Sequence, residues 1–220
     1  MTKKSNIEKT PPKAEIKFNI SLCEEQKEAK QQIIQTPVNY LTGGAGSGKT
    51  LLAVQIALDL FFKRRVNQII ITRPTISTES NGFLPGNEKE KMEPWLVPIK
   101  SNMKKIYDKP ETIDNMFNEE EIQIISLTHF RGRTFENAVC IIDEFQNLTK
   151  EQMKMCIGRL GKGSIMIFTG DKEQIDLKDR NSSAIHDMYK LTNCPFVKIF
   201  ELKTNHRNEA VFEILRLLNG

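Results

Sequence analysis

Gly43-Gly44-Ala45-Gly46-Ser47-Gly48-Lys49-Thr50 is the stretch that decides the fold. It satisfies the phosphate-loop pattern G-x-x-x-x-G-K-[ST] at every required position. Val38-Asn39-Tyr40-Leu41-Thr42 before it reads as a short buried strand, and the run from Leu51 to Leu58 after it reads as a helix. Glycines let the backbone turn tightly, so that successive N–H groups point inward at a bound polyphosphate. The helix N-terminus adds a partial positive charge there. Lys49 is expected to reach the β- and γ-phosphates and Thr50 to hold Mg²⁺. A plain glycine-rich turn would need neither Lys-Thr nor a flanking strand and helix.

The rest of the chain suits that reading. Its 220 residues fit one large domain, and 39% hydrophobic content is enough for a single core. No run of about 18 apolar residues exists, so no membrane span is expected. The N-terminus lacks the apolar centre of a secretion signal. Cys23, Cys140, Cys156 and Cys194 are scattered without metal-ligand spacing. They read as free thiols in a reducing cytoplasm. The net charge of +4 permits an anionic partner without demanding one. His129, His186 and His206 also lack metal spacing.

Residues 1–15 are polar and lysine-bearing and read as a disordered lead-in to one domain spanning 16–220. Ser21 with Glu24 fits a capping box for a helix running to about Ile34. Asn67–Thr72, Ile122–Ser126, Ala138–Ile142, Ser164–Thr169 and Phe196–Phe200 are further strand candidates. The last three are near-continuous apolar runs, as strands buried on both faces require. Helices are expected at about 149–160, 182–190 and 209–218. Residues 79–118 read as a helical insertion, with a turn cluster at Gly82–Gly86 and prolines at 94 and 98. Alternating strands and helices imply a parallel sheet covered on both faces.

Val139-Cys140-Ile141-Ile142 runs into Asp143-Glu144, which a strand would deliver at its C-terminal edge beside the loop. Asp143 is expected to hold Mg²⁺ through water, and Glu144 to act as general base toward the attacking water. Gln174, after the strand ending at Thr169, either senses the γ-phosphate or sits in an ordinary turn. Gln26 either reads an adenine edge or is a solvated helix residue. Arg131 and Arg133 have three roles open: phosphate-backbone contact, reach to a neighbouring subunit's nucleotide, or solvation. Lys100, Lys104, Lys105 and Lys109 read as a solvated helix face, and Met153 and Met155 as helix core. Trp95 either stacks on a base or packs the insertion onto the core.

The sequence resembles the first motor domain of superfamily 1 helicases, and more closely the PhoH-like family of ATPases. The resemblance is carried by Gly82-Phe83-Leu84-Pro85-Gly86, Lys89-Glu90-Lys91, Glu93-Pro94-Trp95-Leu96, Arg131-Gly132-Arg133-Thr134, Ile142 to Asn147, Glu151 to Met155, and Thr169-Gly170-Asp171 with Gln174-Ile175-Asp176. It runs from about residue 21 to the end. It implies a RecA-like α/β domain with ATP and Mg²⁺ as ligands. It also implies ATP hydrolysis coupled to RNA or single-stranded nucleic acid, with Gln26 as the adenine reader. Thr72-Arg73-Pro74 and Ser126-Leu127-Thr128-His129 match strand-end loops that lie on nucleic acid. Asp171 and Gln174 match the motif coupling the γ-phosphate to that groove. Leu202-Lys203-Thr204-Asn205-His206-Arg207 resembles the motif whose arginine, Arg207, contacts the γ-phosphate; His206 stands where a tyrosine is usual.

Paired acids favour the class in which one strand, 164–169, lies between the loop strand and the acid strand. The chain ends at Gly220 without a second motor domain, so the expectation is a homo-oligomer, with a hexameric ring as one form, in which an arginine reaches across subunits. A P-loop kinase is the rival enzyme. Glu144 and the Asp171/Gln174 pair speak against it. A nucleic-acid-binding module using ATP only as a structural ligand is the other rival. The intact Lys49, Thr50, Asp143 and Glu144 speak against that.

Overall fold

The computed structural model describes residues 17–74, 97, 99–206, 210, 211, 213, 214 and 217. The lead-in over residues 1–15, the Gly82–Gly86 cluster, Trp95 and Arg207 lie outside the described residues.

Helix α1 (Glu24–Ile33) leads into strand β1 (Val38–Gly43), and the loop then opens helix α2 (Lys49–Phe62). Strand β2 (Gln68–Thr72) follows. Helix α3 (99–106) and helix α4 (Pro110–Asn118) come before strand β3 (Ile122–Ile124). Then come helix α5 (Leu127–Arg131), strand β4 (Ala138–Asp143), helix α6 (Lys150–Ile157), strand β5 (Ile165–Gly170), helix α7 (Ile185–Met188) and strand β6 (Val197–Leu202). Every pairing is parallel, in the order β3-β2-β4-β5-β1-β6. The strand expected between the loop strand and the acid strand is therefore in place: β5 pairs with β1 on one side and β4 on the other.

The apolar runs of β4 and β5 are continuous because both faces of the sheet are covered. Side chains alternate along each strand. Val139 and Ile141 join Leu41, Ile69, Ile71 and Ile167 under α2 on one face. Cys140 and Ile142 join Tyr40, Ile70, Met166 and Phe168 on the other, against Met153, Cys156 and Met188. Helix α2 is buried from Leu52 to Leu60, so it is apolar nearly all round. Burial pushes the Cys156 thiol up to about 12 and raises that of Cys140 as well, so both are inert neutral thiols at neutral pH.

Four expectations need correction. The first helix is capped by Cys23, not Ser21; Gln26 takes the reciprocal position and its Oε1 accepts from the Cys23 N–H at 3.2 Å. The stretch 182–190 is two 3₁₀ turns flanking the four-residue α7 instead of one helix. Ser126–His129 is no open loop, since Ser126 caps α5 by accepting from the His129 N–H. In the region read as an insertion, α3 and α4 place Ile99, Met103, Ile106, Ile113 and Met116 in the same core as α2. Lys100 and Lys104 do not form a merely solvated face, because both pair with Asp114, at 2.7 and 2.8 Å.

Candidate functional site: a phosphate loop facing two strand-end acids

The loop between β1 and α2 takes its shape from glycine at two positions. Gly43 has φ +141°, and a Cβ there would lie 2.4 Å from the Leu202 carbonyl oxygen on neighbouring β6. Gly48, with φ +82°, caps α2, and a Cβ there would meet Gln26 Nε2 at 2.8 Å. Lys49 folds back over the loop, its Nζ donating to the carbonyls of Gly43 at 2.8 Å and Gly44 at 3.0 Å. It lies 4.0 Å from Asp171 Oδ2. Ser47 Oγ is buried within the loop without a hydrogen-bond partner. An orphaned hydroxyl there fits a cradle built for phosphate oxygens.

β4 brings Asp143 alongside. Its Oδ1 accepts from Thr50 Oγ1 at 2.8 Å and from Thr169 Oγ1, on neighbouring β5, at 2.5 Å. A hydroxyl and a carboxylate at this spacing fit Mg²⁺, which binds through one or two carboxylates and keeps waters and phosphate oxygens as its other ligands. Among the described residues there is no cluster of three or more His, Cys, Asp or Glu side chains suited to a metal. Glu144 follows in the left-handed region, φ +56°. That conformation is uncommon for a side-chain-bearing residue and clusters at functional sites. It turns the chain sharply off the strand.

Gln146, fully buried, ties this edge together. Its Nε2 donates to Glu144 Oε2 at 2.6 Å and to the Gln174 carbonyl at 3.0 Å, and its Oε1 accepts from the Asp171 N–H at 3.1 Å. Gln174 Nε2 donates to Asp171 Oδ2 at 2.8 Å. Arg73, one residue past β2, lies 3.9 Å from Asp143 Oδ2 and 3.6 Å from Glu144 Oε1.

On the far side of the loop, Gln26 is buried rather than solvated. Its Nε2 lies 3.3 Å from the Ser47 carbonyl and 3.2 Å from His206 Nε2. The segment after β6 drapes over the loop: the His206 N–H donates to Gly46, and Asn205 Nδ2 to Ala45. Glu25 anchors that segment by accepting from the N–H groups of Lys203 and Thr204. Desolvation raises the Glu25 pKa, but those backbone donors and the Lys203 charge outweigh it and hold the carboxyl below its usual range.

The structure thus gathers Gln26, the loop from Gly43 to Thr50, Asp143, Glu144 and Gln174 at the C-terminal edge of the sheet. It does not bring Arg133 there. That guanidinium donates to Gln123 Oε1 at 2.8 Å and sits over the Phe135 ring, while Arg131 is exposed. Sequence reasoning missed the buried linking role of Gln146, the contribution of Thr169, and the placement of Arg73 on the acids. The placement of Arg73 follows from strand register, which the sequence does not state. Thr72 pairs with Ile142, which sets the next residue of each strand, Arg73 and Asp143, at the same level.

A parallel sheet with a phosphate loop after β1, an acid at the end of β4 and β5 between them defines a RecA-like P-loop NTPase fold. The family described as PhoH-like protein matches residues 20–219, and this chain belongs to it. A PhoH-like protein of Mycobacterium leprae is 41% identical over 153 residues, which are 69% of this chain and 44% of that one. The Protein PhoH of Escherichia coli is 36% identical over 151 residues, 67% of this chain and 42% of that one. This chain therefore spans less than half the length of these relatives. Among solved structures, Pif1 helicase from Candida albicans aligns with 91% of this chain and 43% of its own, with a TM-score of 0.46 at 19% identity. A structure of Bacteroides Pif1 bound to ssDNA aligns with 91% of this chain and 46% of its own, with a TM-score of 0.44 at 15% identity. Among the described residues no helix is long and apolar enough to cross a membrane.

Proposed function

We propose that this chain binds Mg-ATP and hydrolyses it, and that hydrolysis is coupled to RNA or another single-stranded nucleic acid. The observation that carries the hydrolytic reading is the shared hold of Thr50 and Thr169 on Asp143 Oδ1, with Glu144 turned off the strand beside it. The loop amides from Gly44 to Thr50 cradle the phosphates, and Lys49 exchanges its carbonyl partners for phosphate oxygens. Thr50 and Asp143 would hold the metal, which would supply positive charge against the phosphates. Glu144 takes a proton from the attacking water as oxygen bonds to the γ-phosphorus. The bond to the bridging oxygen breaks, and ADP departs with its electron pair. Gln174, carried by the Asp171 turn, reports the γ-phosphate to Glu144 through Gln146. Gln26 reads the base by exchanging its His206 contact. Arg207, the next residue in sequence, is the proposed γ-phosphate arginine.

Nucleic acid is assigned to the strand-end segments around Arg73 and α5, where Arg131 is exposed. An arginine reaching a neighbouring copy's nucleotide would make the active form a homo-oligomer; sedimentation against concentration-dependent activity decides that. The principal test is phosphate release from ATP with and without single-stranded RNA, single-stranded DNA or duplex. Release stimulated by single strands supports the reading. Transfer of the γ-phosphate to a small acceptor without release would replace it with a kinase.

A further inference from the structure

We propose that Arg73 is a latch on the two acids, which single-stranded nucleic acid and the Mg-nucleotide each release. This rests on the hydrolytic reading above and adds how that site is regulated. Glu144 is held from two sides of unequal firmness. Gln146 grips Oε2 at 2.6 Å from a fully buried position. Arg73 approaches Oε1 at only 3.6 Å and Asp143 Oδ2 at 3.9 Å, with 37% of its side chain exposed. That is a loose ion pair lacking the short paired hydrogen bonds of a guanidinium–carboxylate fork. The Gln146 side is a fixed strut, and the Arg73 side is the one that can open.

The position of Arg73 makes it a relay. In the order β3-β2-β4 the segment after β2 lies between the segment after β3, with exposed Arg131 on α5, and the acids at the end of β4. Pro74, which is buried, restricts Arg73 to an extended backbone, so the side chain is what moves. Guanidinium is also the side chain best matched to phosphate. A phosphodiester passing over the ends of β2 and β3 competes with the acids for it. From the other side, Mg²⁺ arriving at Asp143 repels the same guanidinium. Both ligands drive Arg73 off Glu144, so each must favour the other's binding by the same factor. Arg73 here is a positioning residue, acting on water only through Glu144.

The experiment measures that factor by binding alone. The affinity of a fluorescent oligo(U) or oligo(dT) is titrated with and without a non-hydrolysable ATP analogue plus Mg²⁺. Wild type should bind the oligonucleotide about 5- to 150-fold tighter with the analogue, the usual range of such coupling. Arg73→Ala and Arg73→Gln should bring the ratio to about one, and Arg73→Lys should keep part of it. Arg73→Gln guards against a folding defect, since it retains length and a donor. In parallel, both neutral variants should hydrolyse ATP without nucleic acid at close to the wild-type stimulated rate. The two oligonucleotides separate RNA from DNA. A ratio unchanged in Arg73→Gln, a wild-type ratio of one, or stimulation that survives in Arg73→Gln overturns the latch. A wild type that binds the analogue but releases no phosphate overturns the hydrolytic reading, while the binding ratio still decides the latch. Absence of nucleotide binding overturns both.

Discussion

Residues 43–50 build one half of the site from consecutive positions, whereas the facing half is collected from separate strand ends. Arg73 comes from just past β2, Asp143 from the end of β4 with Glu144 and Gln146 in the turn after it, and Thr169, Asp171 and Gln174 from β5 and the turn that follows. The loop answers to local rules: glycine where φ is positive, a helix N-terminus, and a lysine that folds back. The acid half answers to sheet order and register, which set Thr50 and Thr169 on one carboxylate oxygen. The loop is thus a short-range feature of the chain, while the placement of the acids facing it depends on the whole sheet.

The strongest test of that contrast removes the proposed base, Glu144, and leaves the loop alone. Glu144→Gln should lower turnover by about 10²-fold or more while nucleotide affinity holds. Single-turnover phosphate release alongside analogue binding measures both; near wild-type turnover would break the assignment. Lys49→Ala attacks the other half. Losing a charged hydrogen bond to phosphate should weaken nucleotide affinity by about 10- to 100-fold, corresponding to about 1.5–3 kcal/mol. Calorimetric titration reads this directly, and unchanged affinity would remove Lys49 from the cradle.

Gln146→Ala probes the strut within the acid half. It leaves the buried Asp171 N–H without its acceptor and the half-buried Glu144 Oε2 without its donor. The expected cost is about 1–3 kcal/mol. For a domain of this size each kcal/mol shifts Tm by about 2–4 °C. Turnover should fall along with Tm, since Glu144 loses its fixed side; a Tm shift with unchanged turnover would make Gln146 purely structural. The smallest effect is expected at Cys23→Ser, at the start of the helix carrying Gln26. Serine is a better N-cap than cysteine and should add up to about 1 kcal/mol. Urea midpoints at constant slope would show it; a drop in midpoint would mean that the thiol packs in a way serine cannot replace.

Much of the fold was legible because its signals are local. The near-continuous apolar runs of β4 and β5 announced strands covered on both faces, and the paired acids Asp143-Glu144 placed β5 inside the sheet before the structure did. The misreadings have local causes too. Ser21-x-x-Glu24 and Cys23-x-x-Gln26 compete for the same cap, and the second wins because it buries Gln26 against the loop. Ser126 reads as loop chemistry, yet its hydroxyl caps α5. In sequence Arg133 leaves phosphate contact, reach to a neighbouring copy and solvation all open; in the structure Gln123 on β3 and the Phe135 ring hold it.

Residue order alone establishes that a phosphate-loop pattern lies between a strand and a helix, and that an acid pair stands where another strand ends. Those facts are written in neighbouring residues, where φ, capping and apolar periodicity act over a few positions. Only the tertiary structure decided that Thr50 and Thr169 share Asp143, that Gln146 ties Glu144 to the Gln174 turn, and that Arg73 lies against both acids. Such pairs join residues far apart in the chain. Their meeting depends on which strands are adjacent and in what register, and a shift of one residue along β2 would carry Arg73 away from the acids.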